Sequence, residues 1–224
     1  MIGILAAMPS EVEAIKERMI IDHEESFQNM NLIYGSIHEK EVVLALCGVG
    51  KCLAAMSATL LCVKEDLEAL INVGVAGGLK KDQNVLDIVI SDRMVQADYD
   101  TSPIDGKEGI GLFFDADETL GKTCEEACQN LGISYHVGMV ASQDIFMARS
   151  EDFVKLMNRF PESACSEMEG GAIAQVAHKM NVPVLVIRSL SDVVNHEDNP
   201  MEFSTYEKLA AKQAASLVDE MLKA

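Results

Sequence analysis

Short apolar runs alternate with helix-spaced apolar positions along almost the whole chain. Residues 2–7, IGILAA, read as a buried strand, and the segment that follows carries helical periodicity to about Met19. NLIYGSI (31–37) and EVVLALC (41–47) predict a hairpin across the polar turn at His38 to Lys40. KCLAAMSATLLCVKE (51–65) predicts a helix. ALINVGVAGGL (69–79) predicts a strand running into a glycine turn, and VLDIVISD (85–92) another strand. The pattern is irregular over 93–113. Beyond it come a helix near 117–131, a strand SYHVGMVAS (134–142) and a short helix near 151–159. CSEMEGGAIAQVAHKM (165–180) leads into a helix, VPVLVIRSLSD (182–192) is a strand, and an amphipathic helix over 204–223 closes the pattern.

Strands alternating with helices, uninterrupted by a repeat or a linker, imply one α/β domain over residues 1–224. Its sheet is expected to be largely parallel or mixed, with helices on both faces. Ligands of such folds bind beyond the carboxyl ends of the strands. The residues at which each buried strand stops are therefore the ones to weigh.

The first strand stops at AMPSEVE (7–13). Ser10 followed by Glu13 matches a capping box, which gives Glu13 a structural task and leaves Glu11 without one. Taken alone, Glu11 is more simply a surface charge favoured by the helix dipole. CGVGK (47–51) and NVGVAGGL (72–79) place glycines after strands, but neither is a nucleotide-binding fingerprint. ASQDIFMARS (141–150) leaves its strand with Phe146 and Met147, which suit either a planar heterocycle or the core. RSLSD (188–192) ends an apolar strand with Arg188, Ser191 and Asp192; a salt bridge and a proton donor in a partly dry cleft are the competing readings. SEMEGG (166–171) sets Glu167 and Glu169 either side of Met168 at a helix start. Carboxylates at three separate strand ends make a cleft with several acids in it.

Charge narrows the ligand. The formal net charge of −18 argues against nucleic acid and against anionic membranes, leaving a neutral or cationic small molecule. The six cysteines form no Cys-x-x-Cys pair and read as core thiols in a reducing compartment, so a cytoplasmic protein is expected. The N-terminal apolar run lacks a basic leader and stops at Pro9, which excludes a signal peptide as its reading. The five histidines lack ligand spacing, and NHEDNP (195–200) reads better as a solvated loop than as a metal site.

IGILAAMPSEVEAI, CGVGKCLAAMSATLL, INVGVAGGL, DIVISD, SQDIFM, SEMEGGAIAQVA and VPVLVIRSLSDV occur in one order and spacing. Together they resemble the bacterial 5′-methylthioadenosine/S-adenosylhomocysteine nucleosidases, of the nucleoside phosphorylase superfamily, over nearly the whole chain. The resemblance implies a single α/β domain with a mixed, partly closed central sheet, and a homodimer. It implies Glu11 as the base that deprotonates water, and Asp192, beside Ser191, as the acid that protonates adenine at N7. Glu169 would hold the ribose hydroxyls, with Met168 against the sugar and Arg188 near Glu169. Phe146 would stack on adenine, the Met147 backbone would read the base edge, Gly77 would face the ligand and Met8 would line the ribose side. Such chemistry requires no metal or organic cofactor. Many relatives carry Ser or Thr where this chain has Val75, and reach into the neighbouring subunit's 5′ pocket from the region of 95–111. A phosphorylase, an aminofutalosine nucleosidase and a non-catalytic adenosine-binding protein are the alternatives. The first would want an arginine after the first strand, where this chain has AAMPSEVE.

Overall fold

The computed structural model describes residues 1–193 and 200–223, the side chains of 200–205 excepted. The buried run Ile4, Leu5 and Ala6 makes β1 (Ile2–Ala6) a central strand. Pro9 then occupies the first turn of α1 (Pro9–Lys16), where its missing amide costs nothing. Strands β2 (Ile20–Phe27), β3 (Met30–Ile37) and β4 (Lys40–Leu46) follow as an antiparallel meander. The expected hairpin is its second half. Helix α2 (Lys51–Lys64) leads to β5 (Ala69–Gly78), which lies parallel to β1. The glycines at 74, 77 and 78 are thus part of the strand, where a turn was expected.

The irregular stretch 93–113 also resolves into structure. β6 runs over Ile88–Asp100, well past Asp92, and a short helix α3 (Ser102–Asp105) and a 3-10 turn bring the chain back as β7 (Ile110–Asp115). The pairing of β6 with β8 (Tyr135–Ser142) shifts register between Ser91 and Met94, so the exposed Asp92 and Arg93 sit in a bulge. Those two charges interrupt the apolar pattern without ending the strand. Between β7 and β8, Asp117 caps α4 (Glu118–Leu131) by accepting from the amides of Thr119 and Leu120. Helix α5 (Ser150–Arg159), strand β9 (Ser163–Glu167), helix α6 (Gly170–Met180), strand β10 (Val184–Val193) and helix α7 (Pro200–Met221) complete the order.

The strands form one mixed sheet in the order β10-β6-β8-β9-β5-β1-β4-β3-β2, with β7 on β6. Because β10 also pairs with β5, strands β5, β10, β6, β8 and β9 close into a ring, and β1, β4, β3 and β2 extend from it as an open sheet. This is the mixed, partly closed sheet that the resemblance implies. Helices cover both faces. Ala54, Ala58 and Leu61 of α2 pack with Ile173 and Ala177 of α6 on one side. Val12 and Ile15 of α1, Cys124 and Cys128 of α4, and Leu217 and Val218 of α7 pack on the other. Burying each large aliphatic side chain contributes about 1.5–3 kcal/mol, so the two layers hold the strand ends in fixed positions. Among the described residues, no helix is long and apolar enough to cross a membrane.

Candidate active site

A cleft of about 230 Å³ opens where β1, β5, β9 and β10 end. Glu11 reaches it from the first turn of α1. Since Pro9 is the first helical residue, Met8 is the N-cap and Glu11, not Glu13, stands at the third helical position. Its Oε2 accepts from the backbone amides of Ala7 and Met8, each at 2.9 Å. The expected Ser10–Glu13 box does not form: Glu13 is exposed, and the Ser10 hydroxyl donates to Glu207 at 2.6 Å. On its other oxygen, Glu11 accepts from the Val75 amide at 3.0 Å. Three of a carboxylate's roughly four acceptor sites are thereby filled by fixed amides, and one is left for the cleft. A Cβ on Gly74 would stand 2.8 Å from Glu11 Oε1, so this glycine makes the room that the carboxylate occupies.

Glu11 is only 3% exposed. Burial raises its pKa above the ordinary carboxylate value, and the Arg188 guanidinium and the amides of Met8, Val75 and Ala7 restrain that rise. Val75 supplies its amide to Glu11 and its side chain to the cleft wall, so the interaction with Glu11 needs no hydroxyl at this position.

The SEMEGG stretch divides into distinct parts. Ser166 and Glu167 end β9, Met168 and Glu169 link it to α6, and the helix begins at Gly170. Glu167 turns inward beneath the cleft. Its Oε2 accepts from the amides of Glu169 (2.9 Å) and Gly170 (2.7 Å), capping α6, and from Arg188 Nη2 at 2.5 Å, while its Oε1 accepts from the Ser142 hydroxyl. Glu169 projects into the cleft, where its Oε1 accepts from the Gly50 amide at 2.8 Å. Burial and the neighbouring Glu167 charge push Glu169 up to about 7, against the pull of Arg188 and the Gly50 amide. Gly170 and Gly171 serve packing: a Cβ on either would meet Val186, or Gln96 and Ser142, at about 3.0 Å.

Arg188 lies 4.0 Å from Glu169 Oε2, near it as expected, yet it is 1% exposed and forms no part of the cleft wall. It also donates to the Asn72 side chain and to the Asn72 carbonyl, so its head is fixed from several sides. Burial alone would lower its pKa, but the Glu167, Glu169 and Glu11 carboxylates outweigh that and raise it.

Asp192 enters from the end of β10. The pairing of β10 with β5 skips Ser191, which is an extra residue between the Leu190–Ala76 and Asp192–Gly77 pairs. That bulge carries the Asp192 carboxyl over Gly77, where an added Cβ would lie 3.2 Å from Asp192 Oδ2. The Ser191 hydroxyl donates to Asp192 Oδ1 at 2.8 Å. Phe146 is 59% exposed at the cleft mouth and is not a core residue, whereas Met147 beside it lines the cleft and is also packed against the core around Leu156 and Phe160. Met8, Gly77, Met168 and Ser191 also line the cleft. Of the ten residues singled out from the sequence, Arg188 alone stays beneath the cleft wall.

Sequence reasoning passed over Asn72 and Ser142 and did not single out Gly50 or Gly74 within their glycine runs. Gly50, Asn72 and Ser142 act through backbone or buried hydrogen bonds and Gly74 through the room its missing Cβ leaves for Glu11, none of which marks a one-dimensional pattern. Among the described residues, no three or more His, Cys, Asp and Glu side chains converge as metal ligands. The NHEDNP stretch lies outside the described residues, apart from the backbone of Pro200.

The chain matches the model of the phosphorylase superfamily over residues 1–223. It is 34% identical to the 5′-methylthioadenosine/S-adenosylhomocysteine nucleosidase of Oceanobacillus iheyensis, across 99% of this chain and 98% of that protein. Among solved structures, the Streptococcus pneumoniae enzyme of the same name, in complex with a transition-state inhibitor, is 36% identical with a TM-score of 0.92, covering 100% of this chain and 98% of that one. The futalosine hydrolase of Helicobacter pylori is 30% identical with a TM-score of 0.91, covering 99% and 97%. The chain belongs to the phosphorylase superfamily and, within it, to the 5′-methylthioadenosine/S-adenosylhomocysteine nucleosidase family.

Proposed function

We propose that the protein hydrolyses the N-glycosidic bond of 5′-methylthioadenosine and S-adenosylhomocysteine, releasing adenine and the corresponding 5-thioribose. Residues 1–224 act as one nucleosidase domain in the cytoplasm. The observation that carries this reading is that Glu11, Glu169 and Asp192 face one cleft from three separate strand ends. As the base departs, positive charge grows on the ribosyl group, and a cleft walled by carboxylates stabilises it.

Adenine lies against Phe146, with its edge along the Met147 backbone, and Asp192 delivers a proton to N7. The C1′–N9 bond breaks and its electron pair leaves with the protonated base as neutral adenine. Glu169 holds the ribose hydroxyls, with Met168 and Met8 against the sugar and Gly77 giving Asp192 room. Water adds its oxygen to C1′ and gives its proton to Glu11, whose three amide bonds hold it in place. Arg188 works from below by fixing Glu167 and, through it, the backbone of Glu169. Each proton transfer is worth roughly 10²- to 10⁴-fold.

Water is favoured over phosphate as the nucleophile by the charge of the cleft. Three acids, Glu11, Glu169 and Asp192, face the cleft, the Glu167 carboxylate lies behind them paired with Arg188, and the described lining residues include no Lys or Arg. A phosphate dianion would enter against that field. A homodimer is supported by Val49, Leu53, Met56 and Val63, which expose an apolar stripe along α2 and the turn before it, and by Ile104 of α3, 87% exposed within the 95–111 segment. A futalosine-type nucleoside is the second reading, favoured by the likeness to the Helicobacter pylori hydrolase.

The test is a panel of 5′-substituted adenosines given to the purified protein, with released adenine measured. Release from methylthioadenosine and S-adenosylhomocysteine well above that from aminofutalosine supports the first reading. The reverse order establishes the second, and binding without release leaves a non-catalytic binder.

A further inference from the structure

In the segment that carries Phe146 and Met147, residues 144–146 and 148–150 are exposed, while Met147 packs against the core around Leu156 and Phe160. The segment is tied down by a compact polar network at the N-terminus of α2. The Lys51 amide donates to Asp144 Oδ1 at 2.8 Å, and the Asp144 amide donates to Asp98 Oδ2 at 3.0 Å. The Lys51 ammonium closes the loop by pairing with Asp98 Oδ1. The neighbouring amide, that of Gly50, holds Glu169 at 2.8 Å. Two successive amides of one helix start thus grip two carboxylates, one belonging to the ribose side of the cleft and the other to the base side. Gly50 permits this with φ 96, and a Cβ there would stand 3.2 Å from Asp144 Oδ1.

We propose that Asp144, held between Lys51 and Asp98, is a positioning residue that sets the Phe146–Met147 segment over the cleft and so governs affinity for the adenine base. None of the three side chains forms part of the cleft wall. Asp144 and Asp98 act through the backbone they anchor. A charge-assisted bond from an amide at a helix start is among the stronger single tethers available to an exposed segment. Because α2 shares its first turn between Asp144 and Glu169, the base-holding segment and the ribose carboxylate are set relative to one reference point.

The proposal rests on the nucleosidase reading, and one set of measurements separates the two. Asp144→Ala, Asp144→Asn and Lys51→Met are compared with the parent for kcat and KM on methylthioadenosine, for inhibition by adenine, and for Tm. Asp144→Ala removes the acceptor for the Lys51 amide, so KM and the adenine inhibition constant are expected to rise together about tenfold, with kcat within about twofold. Asp144→Asn keeps an oxygen at that place and returns both constants most of the way to the parent values. Lys51→Met leaves the backbone bonds and gives a smaller rise of the same kind. Unchanged KM and adenine inhibition in Asp144→Ala overturn the proposal, whatever happens to Tm. So does a loss confined to kcat. A parent protein that neither binds adenine nor turns over methylthioadenosine sinks the nucleosidase reading itself.

Discussion

Replacing Glu167 by Gln tests whether the acid beneath the cleft sets the ionisation of Glu169. Arg188 Nη2 lies 2.5 Å from Glu167 Oε2 and 4.0 Å from Glu169 Oε2. Those oxygens are therefore no more than about 6.5 Å apart, and at an effective dielectric near 20 their repulsion is about 2.5 kcal/mol, close to two pH units. Gln can still present one oxygen to Arg188 and to the amides of Glu169 and Gly170, and its amide group to Ser142, so the cap of α6 survives. With the Glu167 charge gone, Arg188 also turns its full field on Glu169. The midpoint of Glu169 should fall from about 7 by at least one unit. Carbon-13 NMR of glutamate δ-carboxyl groups, with Glu169 assigned through Glu169→Gln, reads that midpoint directly. As pH falls, Glu169 then keeps its charge further down, and the acid side of the kcat/KM profile moves the same way. A Glu169 midpoint that stays near 7 in Glu167→Gln would refute the electrostatic assignment.

Three further outcomes follow from the same geometry. Asp192→Asn removes the transferable proton while keeping size and the acceptor for Ser191, so kcat should drop by roughly 10²-fold or more with the circular dichroism unchanged; near-normal turnover would exclude Asp192 as the acid. Glu169 is raised in the fold, so its stabilising protonation is complete below about 4.5 and is lost as pH rises through about 7. Glu169→Gln should therefore raise Tm above pH 7, by an amount reflecting at most about 3 kcal/mol, and change it little at pH 4, as paired melts at the two pH values will show. The proposed homodimer predicts that the parent sediments as a dimer and that Leu53→Glu, which places a charge in the exposed α2 stripe, sediments as a monomer.

Much of this architecture is legible because buried strands and helix faces carry strong periodic patterns. β1, β5, β8 and β10 appear as apolar runs with chemistry at their ends, and the cleft lies there. β2 is missed because IIDHEESF is a mostly exposed edge strand with little hydrophobic pattern to read. β9 is missed because its five residues, SACSE, are all buried although Ser163, Ser166 and Glu167 are polar, so the strand shows neither an apolar run nor an alternation to read. The roles of Glu11 and Glu13 are exchanged by a shift of the helix start that Pro9 imposes. The Ser191 bulge, which turns Asp192 into the cleft, has no counterpart in composition or spacing. Ser142 and Asn72 look like ordinary strand residues, and only the closed sheet brings them to Glu167 and Arg188.

The hydrolytic reading meets its most direct test in the phosphate dependence of methylthioadenosine cleavage. Turnover is followed in phosphate-free buffer and again with added phosphate, with proton and phosphorus NMR identifying the sugar product. Full-rate release of adenine and free 5-methylthioribose without phosphate, and no sugar phosphate when it is added, is the expected result for water delivered by Glu11. Cleavage that begins only with phosphate and yields 5-methylthioribose 1-phosphate would contradict it.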